Sequence, residues 1–184
     1  MLIACFLWRR LDVPGHDICR LEERSTGWKL EGTAVFREDG IPTQLAYCVT
    51  GDLAWRTEQG RVHGWLGARS VDFTIARTSG GVWTLNGAVV AGLESYVDLD
   101  LGFTPATNLS QLRRVALPVG QGADVPVVWL DPSRGTLTVL RQRYWRRSET
   151  TYWYEAPSVN YEGLLEVDST GFIRRYPGLW EAEP

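Results

Sequence analysis

Two aspartates separated by a single leucine are the clearest candidates for acid–base chemistry in this sequence. Asp98 and Asp100 alternate with valine and leucine residues, and in a β-strand this alternation places both carboxylates on one face. Two like charges so close together raise one of the two pKa values, as an acid–base pair requires. The same pattern fits a polar cluster that contacts a ligand. It also fits a structural strand with a solvated face that ends at Gly102, and this structural role is the simplest interpretation.

A second segment, Arg141 to Arg147, interleaves basic and aromatic side chains. It ends a long predicted strand over residues 136–147, in which one face begins apolar and becomes rich in arginine. A strand that runs past the core, or to the rim of a cavity, has this pattern. Arg143 at such a rim would hold an anionic or sugar headgroup. The alternative is a purely structural hairpin with the next strand, residues 150–156.

The spacing of the turn predicts the register of that hairpin. A two-residue turn at Ser148-Glu149 would place Trp145 opposite Tyr152 and Arg143 opposite Tyr154. The paired aromatic side chains would then stabilise the hairpin by about 0.2–1 kcal/mol each.

Most other catalytic and cofactor sites lack their sequence signals. His16 and His63 are the only histidines, and neither has the neighbours that metal-ligand spacing requires, so we predict no metal site. There is no nucleophile elbow, phosphate-binding loop or dinucleotide fingerprint, so we predict no cofactor and assign no catalytic residue. The net charge of -3 argues against a nucleic-acid partner. No apolar run reaches the ~18 residues of a transmembrane helix.

The elements that would position these residues are β-strands. Apolar and polar residues alternate with a period of two along most of the chain, and turn sequences such as Asp168-Ser169-Thr170-Gly171 separate the runs. We predict one all-β domain over residues 1–184 with about eleven strands. One short helix is predicted near 108–116, with Asn108 as its N-cap, Gln111 completing a capping box, and Pro118 ending it.

The N-terminus and the cysteines bear on the compartment. Leu2-Ile3-Ala4-Cys5 is similar to a lipoprotein cleavage site but lacks the basic and apolar stretches that precede one. We therefore interpret it as the first strand and expect a cytoplasmic protein, or a periplasmic one only if the start codon is misassigned. The three cysteines are scattered, which suits a reducing compartment.

Three segments together resemble a known family. They are Asp98-Leu-Asp-Leu-Gly-Phe-Thr-Pro-Ala-Thr-Asn108, Trp153-Tyr154-Glu155-Ala156 and Tyr176-Pro-Gly-Leu-Trp180. Their content and order resemble the bacterial family named "Putative glycolipid-binding", over nearly the whole chain. The resemblance implies a single large curved antiparallel sheet, similar to that of lipoprotein carriers, which forms an open barrel around an apolar cavity. It also implies that a lipid or glycolipid binds in this cavity without catalysis.

On this hypothesis, polar residues near strand ends form the mouth of the cavity. The predicted ligand-binding residues are Asp98, Asp100, Asn108, Arg143, Tyr154, Glu155 and Tyr161. One alternative is a hydrolase that acts on a sugar or an ester through the carboxylates of Asp98, Asp100 and Glu155. Another is a structural or interaction protein whose barrel has a solid core and an exposed apolar patch.

Overall fold

The computed structural model describes the backbone of residues 1–184 and every side chain except that of Glu38. Strands dominate it. They are β1 (Leu2–Arg10), β2 (Gly15–Arg24), β3 (Gly27–Glu38), β4 (Ile41–Asp52), β5 (Thr57–Leu66), β6 (Arg69–Arg77), β7 (Trp83–Leu85), β8 (Ala88–Val90), β9 (Leu99–Asp100), β10 (Gly122–Asp124), β11 (Val127–Asp131), β12 (Thr136–Leu140), β13 (Arg143–Arg146), β14 (Thr151–Ala156), β15 (Tyr161–Val167), β16 (Ile173–Tyr176) and β17 (Trp180–Ala182). The single α-helix, α1, spans Asn108–Val115, and a 3-10 turn spans Pro157–Val159.

Fourteen of these strands form one antiparallel sheet with the order β10-β13-β14-β15-β16-β17-β1-β2-β3-β4-β5-β6-β7-β8. The last strand, β17, pairs with the first, so that Arg10 lies opposite Trp180 and the two halves of the chain become continuous. The edge strands β10 and β8 do not pair with each other, so the sheet is not closed. The predicted all-β fold with a large open antiparallel sheet is confirmed.

The period-two pattern explains which face of the sheet becomes the core. Along β4, Leu45, Tyr47 and Val49 are 0%, 3% and 1% exposed, whereas the residues between them are only partly buried. Successive side chains of a strand point to opposite faces, so these residues line the inner face. Asp17 on β2 lies at an inward position as well, and it is 0% exposed.

The inner face is covered by the chain itself. Leu99, Leu101 and Leu109 are between 0% and 1% exposed, which places β9 and the start of α1 inside the molecule. A small second sheet, β12-β11-β9, holds this segment, and β9 pairs in parallel with β11. Asp98, just before β9, and Asp100 within it are 0% and 5% exposed, so the expectation that they lie on a solvated face is wrong.

The long strand predicted over residues 136–147 is two strands. β12 pairs with β11, whereas β13 pairs with β10. Between the two pairs, the Val125 amide donates a hydrogen bond to the Gln142 carbonyl at 2.9 Å. The chain passes from the small sheet to the large one at this point, and the Gln142 side chain there is only 3% exposed. This change of direction explains why the apolar face of β12 does not continue along β13.

The predicted hairpin register is wrong by one residue. Trp145 lies opposite Trp153, and Arg143 lies opposite Glu155. The Arg147 amide donates to the Thr151 carbonyl at 2.9 Å, so the turn contains three residues rather than two. A shift of one residue exchanges every cross-strand partner.

The helix lies where it is predicted, but its capping differs. Asn108 is the first helical residue and Thr107 precedes it, without a side-chain cap. The Thr107 hydroxyl instead accepts a hydrogen bond from the Leu101 amide at 3.2 Å. The capping box therefore does not form, because Asn108 and Gln111 are both buried and bond to other side chains.

Candidate ligand-binding site

A buried polar network joins α1 to β13 and β14. Gln111 donates to Asp100 Oδ2 at 3.0 Å, and its own carbonyl oxygen accepts from Tyr144 at 2.9 Å and from Gln142. The Tyr154 hydroxyl donates to Gln142 Oε1 at 2.7 Å. These contacts satisfy most of the polar atoms that the interior segment brings into the barrel, as buried polar groups require.

Asp98 and Asp100 both point toward α1. Arg114 grips Asp98 with Nε at 3.0 Å from both carboxylate oxygens and Nη2 at 2.6 Å from Oδ2. Gln111, one turn earlier on the helix, holds Asp100. Burial raises the pKa of Asp98, and it raises the pKa of Asp100 to about 6, since the Gln111 contact offsets desolvation only in part. The predicted placement of both carboxylates on one face is confirmed, and that face meets the helix.

A second buried cluster ties β2 and β4 to the segment that follows β9. Thr104 and Tyr47 donate to Asp17 Oδ2 at 2.5 Å and 2.9 Å. The other oxygen, Oδ1, has no partner among the described atoms. Desolvation raises the pKa of Asp17 to about 7. This cluster anchors the Gly-Phe-Thr-Pro sequence to the inner face of the sheet.

A cavity of about 620 Å³ lies between that sequence, one end of strands β3 to β6, and the β11–β12 turn. Its apolar walls are Phe36, Ile41, Leu66, Phe103, Trp129 and Leu130, and its polar lining includes Arg10, Asp39, Thr43, Arg69, Asp131 and Ser133. Small-molecule sites have volumes of roughly 300–1,000 Å³ with mostly apolar walls and a few polar groups. The cavity has the size and the chemistry of a site for an amphiphile.

Gly102 shapes one wall of this cavity. A Cβ atom at this position would lie 2.3 Å from Trp129 Nε1, closer than any side chain tolerates. Only glycine lets the indole of Trp129 lie against the backbone here. The neighbouring Phe103 packs edge-on against Tyr47, with ring centroids 5.9 Å apart, so two aromatic walls are fixed by one short sequence.

The structure separates the seven predicted binding residues into two groups. Asp100, Asn108 and Tyr154 belong to the buried network and Asp98 lies next to it. The ring of Tyr161 packs at a tilt against that of Tyr154, with centroids 5.9 Å apart. Arg143 and Glu155 lie instead on the outer face and line a separate groove of about 300 Å³. None of the seven lines the 620 Å³ cavity, and their contact with a ligand stays a prediction.

The carboxylates of the hydrolase hypothesis do not share a cleft. Asp98 is 0% exposed and bound by Arg114, and Asp100 is 5% exposed. Glu155 lies on the other side of the sheet, where it accepts a hydrogen bond from Trp153 Nε1 at 2.8 Å. An acid–base pair for hydrolysis needs two carboxyl groups on either side of the same bond, and these three residues do not supply one.

Most of the residues that line the cavity could not be predicted from the sequence. Gly102 and Phe103 lie within the distinctive Gly-Phe-Thr-Pro sequence, which was a usable signal. Arg10 and Arg69 lie far apart in the chain, and no local pattern distinguishes them from other arginines.

Among the described residues, no three His, Cys, Asp or Glu side chains form a group that could hold a metal ion. Nor does the chain, as described, contain a helix long and apolar enough to cross a bilayer.

Comparison with known proteins agrees with this architecture. A crystal structure of a DUF1089 family protein from Pseudomonas aeruginosa superposes with a TM-score of 0.79 and 23% sequence identity, covering 90% of this chain and 91% of that one. At this identity the likeness shows a shared fold. No curated protein matches the chain. Residues 5–182 match the family described as "Putative glycolipid-binding". Because this match spans nearly the whole sequence, the chain belongs to that family.

Proposed function

We propose that this protein binds an amphiphilic lipid, a glycolipid, in the 620 Å³ cavity and does not turn it over. The observation that carries the proposal is the composition of the cavity wall. Aromatic and aliphatic side chains share the wall with an equal number of polar and charged ones, in a space large enough for part of a lipid. Such walls bury an apolar chain while a few polar groups orient the headgroup. The family description supports the same ligand class.

The energetics require both parts of the ligand to contribute. Burial of ten methylene groups yields roughly 8 kcal/mol at ~0.8 kcal/mol per group. Each hydrogen bond to a sugar adds about 0.5–1.5 kcal/mol net. Association itself costs ~4–15 kcal/mol. A free sugar should therefore bind weakly, and the acyl chain must supply most of the affinity.

The first prediction is that partly filling the cavity weakens lipid binding. Leu66→Trp enlarges a side chain of the cavity wall, and we expect the affinity for a bound lipid to fall at least about tenfold, a loss of ~1.4 kcal/mol or more. Leu164→Trp is the matched control, because Leu164 lies on the outer face of β15 and is 41% exposed.

Native mass spectrometry against a panel of phospholipids, diacylglycerols and glycosyl diacylglycerols measures this effect. A one-to-one complex that the cavity substitution removes and the outer substitution leaves intact would support the proposal. The absence of any stoichiometric lipid complex with the unmodified protein would contradict it. Unchanged binding by Leu66→Trp would contradict it equally.

A further inference from the structure

The outer face of strands β1 to β4 carries an apolar row that is open to solvent. Cross-strand pairing places one residue from each strand side by side, in the order Leu7, Ile18, Thr33 and Ala46. Leu7 is 43% exposed and Ile18 is 56% exposed. The solvent face of an antiparallel sheet is usually polar, so a continuous row of this kind indicates a surface that contacts another molecule.

The two halves of this row differ in height. Leu7 and Ile18, on β1 and β2, are long side chains that stand out from the sheet. Thr33 and Ala46, on β3 and β4, are short and lie in the lining of a groove of about 440 Å³. The row is therefore a ridge beside a groove, and each half has the shape that would fit against the other.

The neighbouring row on the same face carries the charges. Its order across β1 to β4 is Cys5, Arg20, Glu31 and Cys48. Arg20 and Glu31 form an ion pair, yet their side chains are still 51% and 25% exposed. Because the pair is neutral as a whole, it does not favour a polyanion or a polycation. A complementary partner must present a negative and a positive group in the reverse order.

A second copy of this chain presents that reverse order. Consider a two-fold axis that lies between two such faces, parallel to the strands and midway between β2 and β3. Rotation about it exchanges β2 with β3 and β1 with β4, and each row then faces itself, as in an isologous interface. Ile18 meets Thr33 of the second copy, Leu7 meets its Ala46, and Arg20 meets its Glu31.

The third row on this face is compatible with the same arrangement. It contains Arg9, His16, Val35 and Gln44 in strand order. The axis brings Arg9 to Gln44 of the second copy and His16 to its Val35. No like charges meet in any of the three rows.

We infer that the protein forms a symmetric dimer through this face, with the two sheets packed face to face and the ridge of each copy in the groove of the other. Four strands ~4.8 Å apart and three rows of residues ~6.8 Å apart give a footprint of roughly 400 Å² per copy. A stable complex buries about 800 Å² per partner. The dimer is therefore weak, and its population depends on protein concentration.

Sedimentation equilibrium from micromolar to millimolar protein tests the dimer. Ile18→Lys places a charge in the groove of each partner, so we expect the dissociation constant of the dimer to rise at least about tenfold. Leu164→Lys is the matched control, at a residue that is 41% exposed on the outer face of β15, and it should change nothing. Arg20→Glu should also weaken the dimer, and adding Glu31→Arg should restore it.

The cysteines of this face test the axis itself. The axis places Cys5 opposite Cys48 of the second copy, and the third cysteine, Cys19, is buried. Packed sheets lie ~10 Å apart, too far for a disulfide, so a short bismaleimide is the cross-linker. Cys5→Ser alone and Cys48→Ser alone should each abolish the cross-linked dimer on a denaturing gel. An equimolar mixture of the two variants should regain it.

The opposite results are equally clear. A monomer at every concentration would overturn the dimer, and so would a dimer that Ile18→Lys leaves unchanged. A cross-linked dimer that Cys5→Ser removes and Cys48→Ser leaves intact would mean that Cys5 meets its own copy, which would overturn the proposed axis. These measurements use the protein without lipid, so their outcome is independent of the proposed function.

Discussion

The buried aspartates show how individual residues hold this interior together. Asp98 is neutralised by a two-pronged contact with Arg114, Asp100 accepts from an amide, and Asp17 accepts from two hydroxyls. A buried charge is costly, so burial raises the pKa of all three carboxyl groups, to about 6 for Asp100 and about 7 for Asp17, neither of which has a cation partner. Their contacts are with the chain itself, which favours the structural interpretation of the paired carboxylates over an acid–base role.

The raised pKa of Asp17 predicts a pH-dependent stability. Desolvation moves it from 3.8 to about 7, so between these values the folded protein retains a proton that the unfolded chain releases. The contribution of Asp17 to the free energy of unfolding is therefore greatest below about pH 4. It is lost as the pH rises toward 7, at up to about 1.4 kcal/mol per pH unit. Asp17→Asn should flatten this slope, as measured by urea unfolding at a series of pH values.

Asp100 contributes a slope of the same sign up to about pH 6, so the informative quantity is the difference between Asp17→Asn and the unmodified protein. Asp124→Asn, at a side chain that is 83% exposed, controls for the substitution itself and should leave the slope unchanged. An Asp17→Asn profile parallel to that of the unmodified protein would show that Asp17 does not hold the extra proton.

At the scale of elements, the segment from β9 to α1 positions the cavity wall. The Gln111–Asp100 hydrogen bond joins the two ends of this segment, and the Thr104–Asp17 hydrogen bond anchors its middle to β2. Gly102 lets Trp129 of β11 close over it. The Gly-Phe-Thr-Pro sequence is therefore distinctive for a steric reason, namely the contact between an indole and the backbone.

Gly102→Ala tests this contact between elements. The new methyl group would lie 2.3 Å from Trp129 Nε1, so the indole must move. We expect a loss of about 1–3 kcal/mol in stability, typical of overfilled cores, together with weaker lipid binding. Gly80→Ala is the control, since the nearest atom to its added methyl would be 3.8 Å away. Chemical unfolding and lipid titration of both variants measure the effect, and equal stabilities would show that Trp129 yields without strain.

The strands themselves were largely readable from the sequence, while their connections were not. Alternation such as Leu45, Tyr47 and Val49 depends only on the two faces of a strand, and it marks the buried side correctly. The inward turn of Gln142 depends on Gln111 and Tyr154, which lie 31 and 12 residues away. The hairpin register depends on whether the turn holds two or three residues, a small difference in local energy. Neither the inward position of Gln142 nor the length of the turn can be read from the local sequence.

The candidate site was less predictable than the fold for the same reason. Its polar lining includes arginines in β1 and β6, far apart in the chain, that the folded sheet brings to one end of the interior. Aspartates and tyrosines near strand ends looked like a cavity mouth because polar residues at such places are usually exposed. Here the interior segment buries them, so polarity in the sequence marked an internal network.

For the whole molecule, the pairing of β17 with β1 makes one sheet from the two halves of the chain. Trp180 on β17 is 4% exposed and packs near the guanidinium of Arg10. Because this seam is in the middle of the sheet, a defect there should weaken strands on both sides. Trp180→Ala should cost about 3–5 kcal/mol, as for other buried tryptophans. Trp65→Ala, at a residue 42% exposed, should cost far less.

Hydrogen exchange shows whether the pairing of β17 with β1 stabilises the whole sheet or only the strands next to it. In Trp180→Ala, amides of β2 to β4 and amides of β14 and β15 should lose protection together, because the strands on each side of β17 share one continuous hydrogen-bonded sheet. Loss of protection confined to β16, β17 and β1 would contradict this view and would mean that each half is stable alone. In that case the cavity, which draws on β1, β3 to β6 and β11, would depend on the seam only through Arg10.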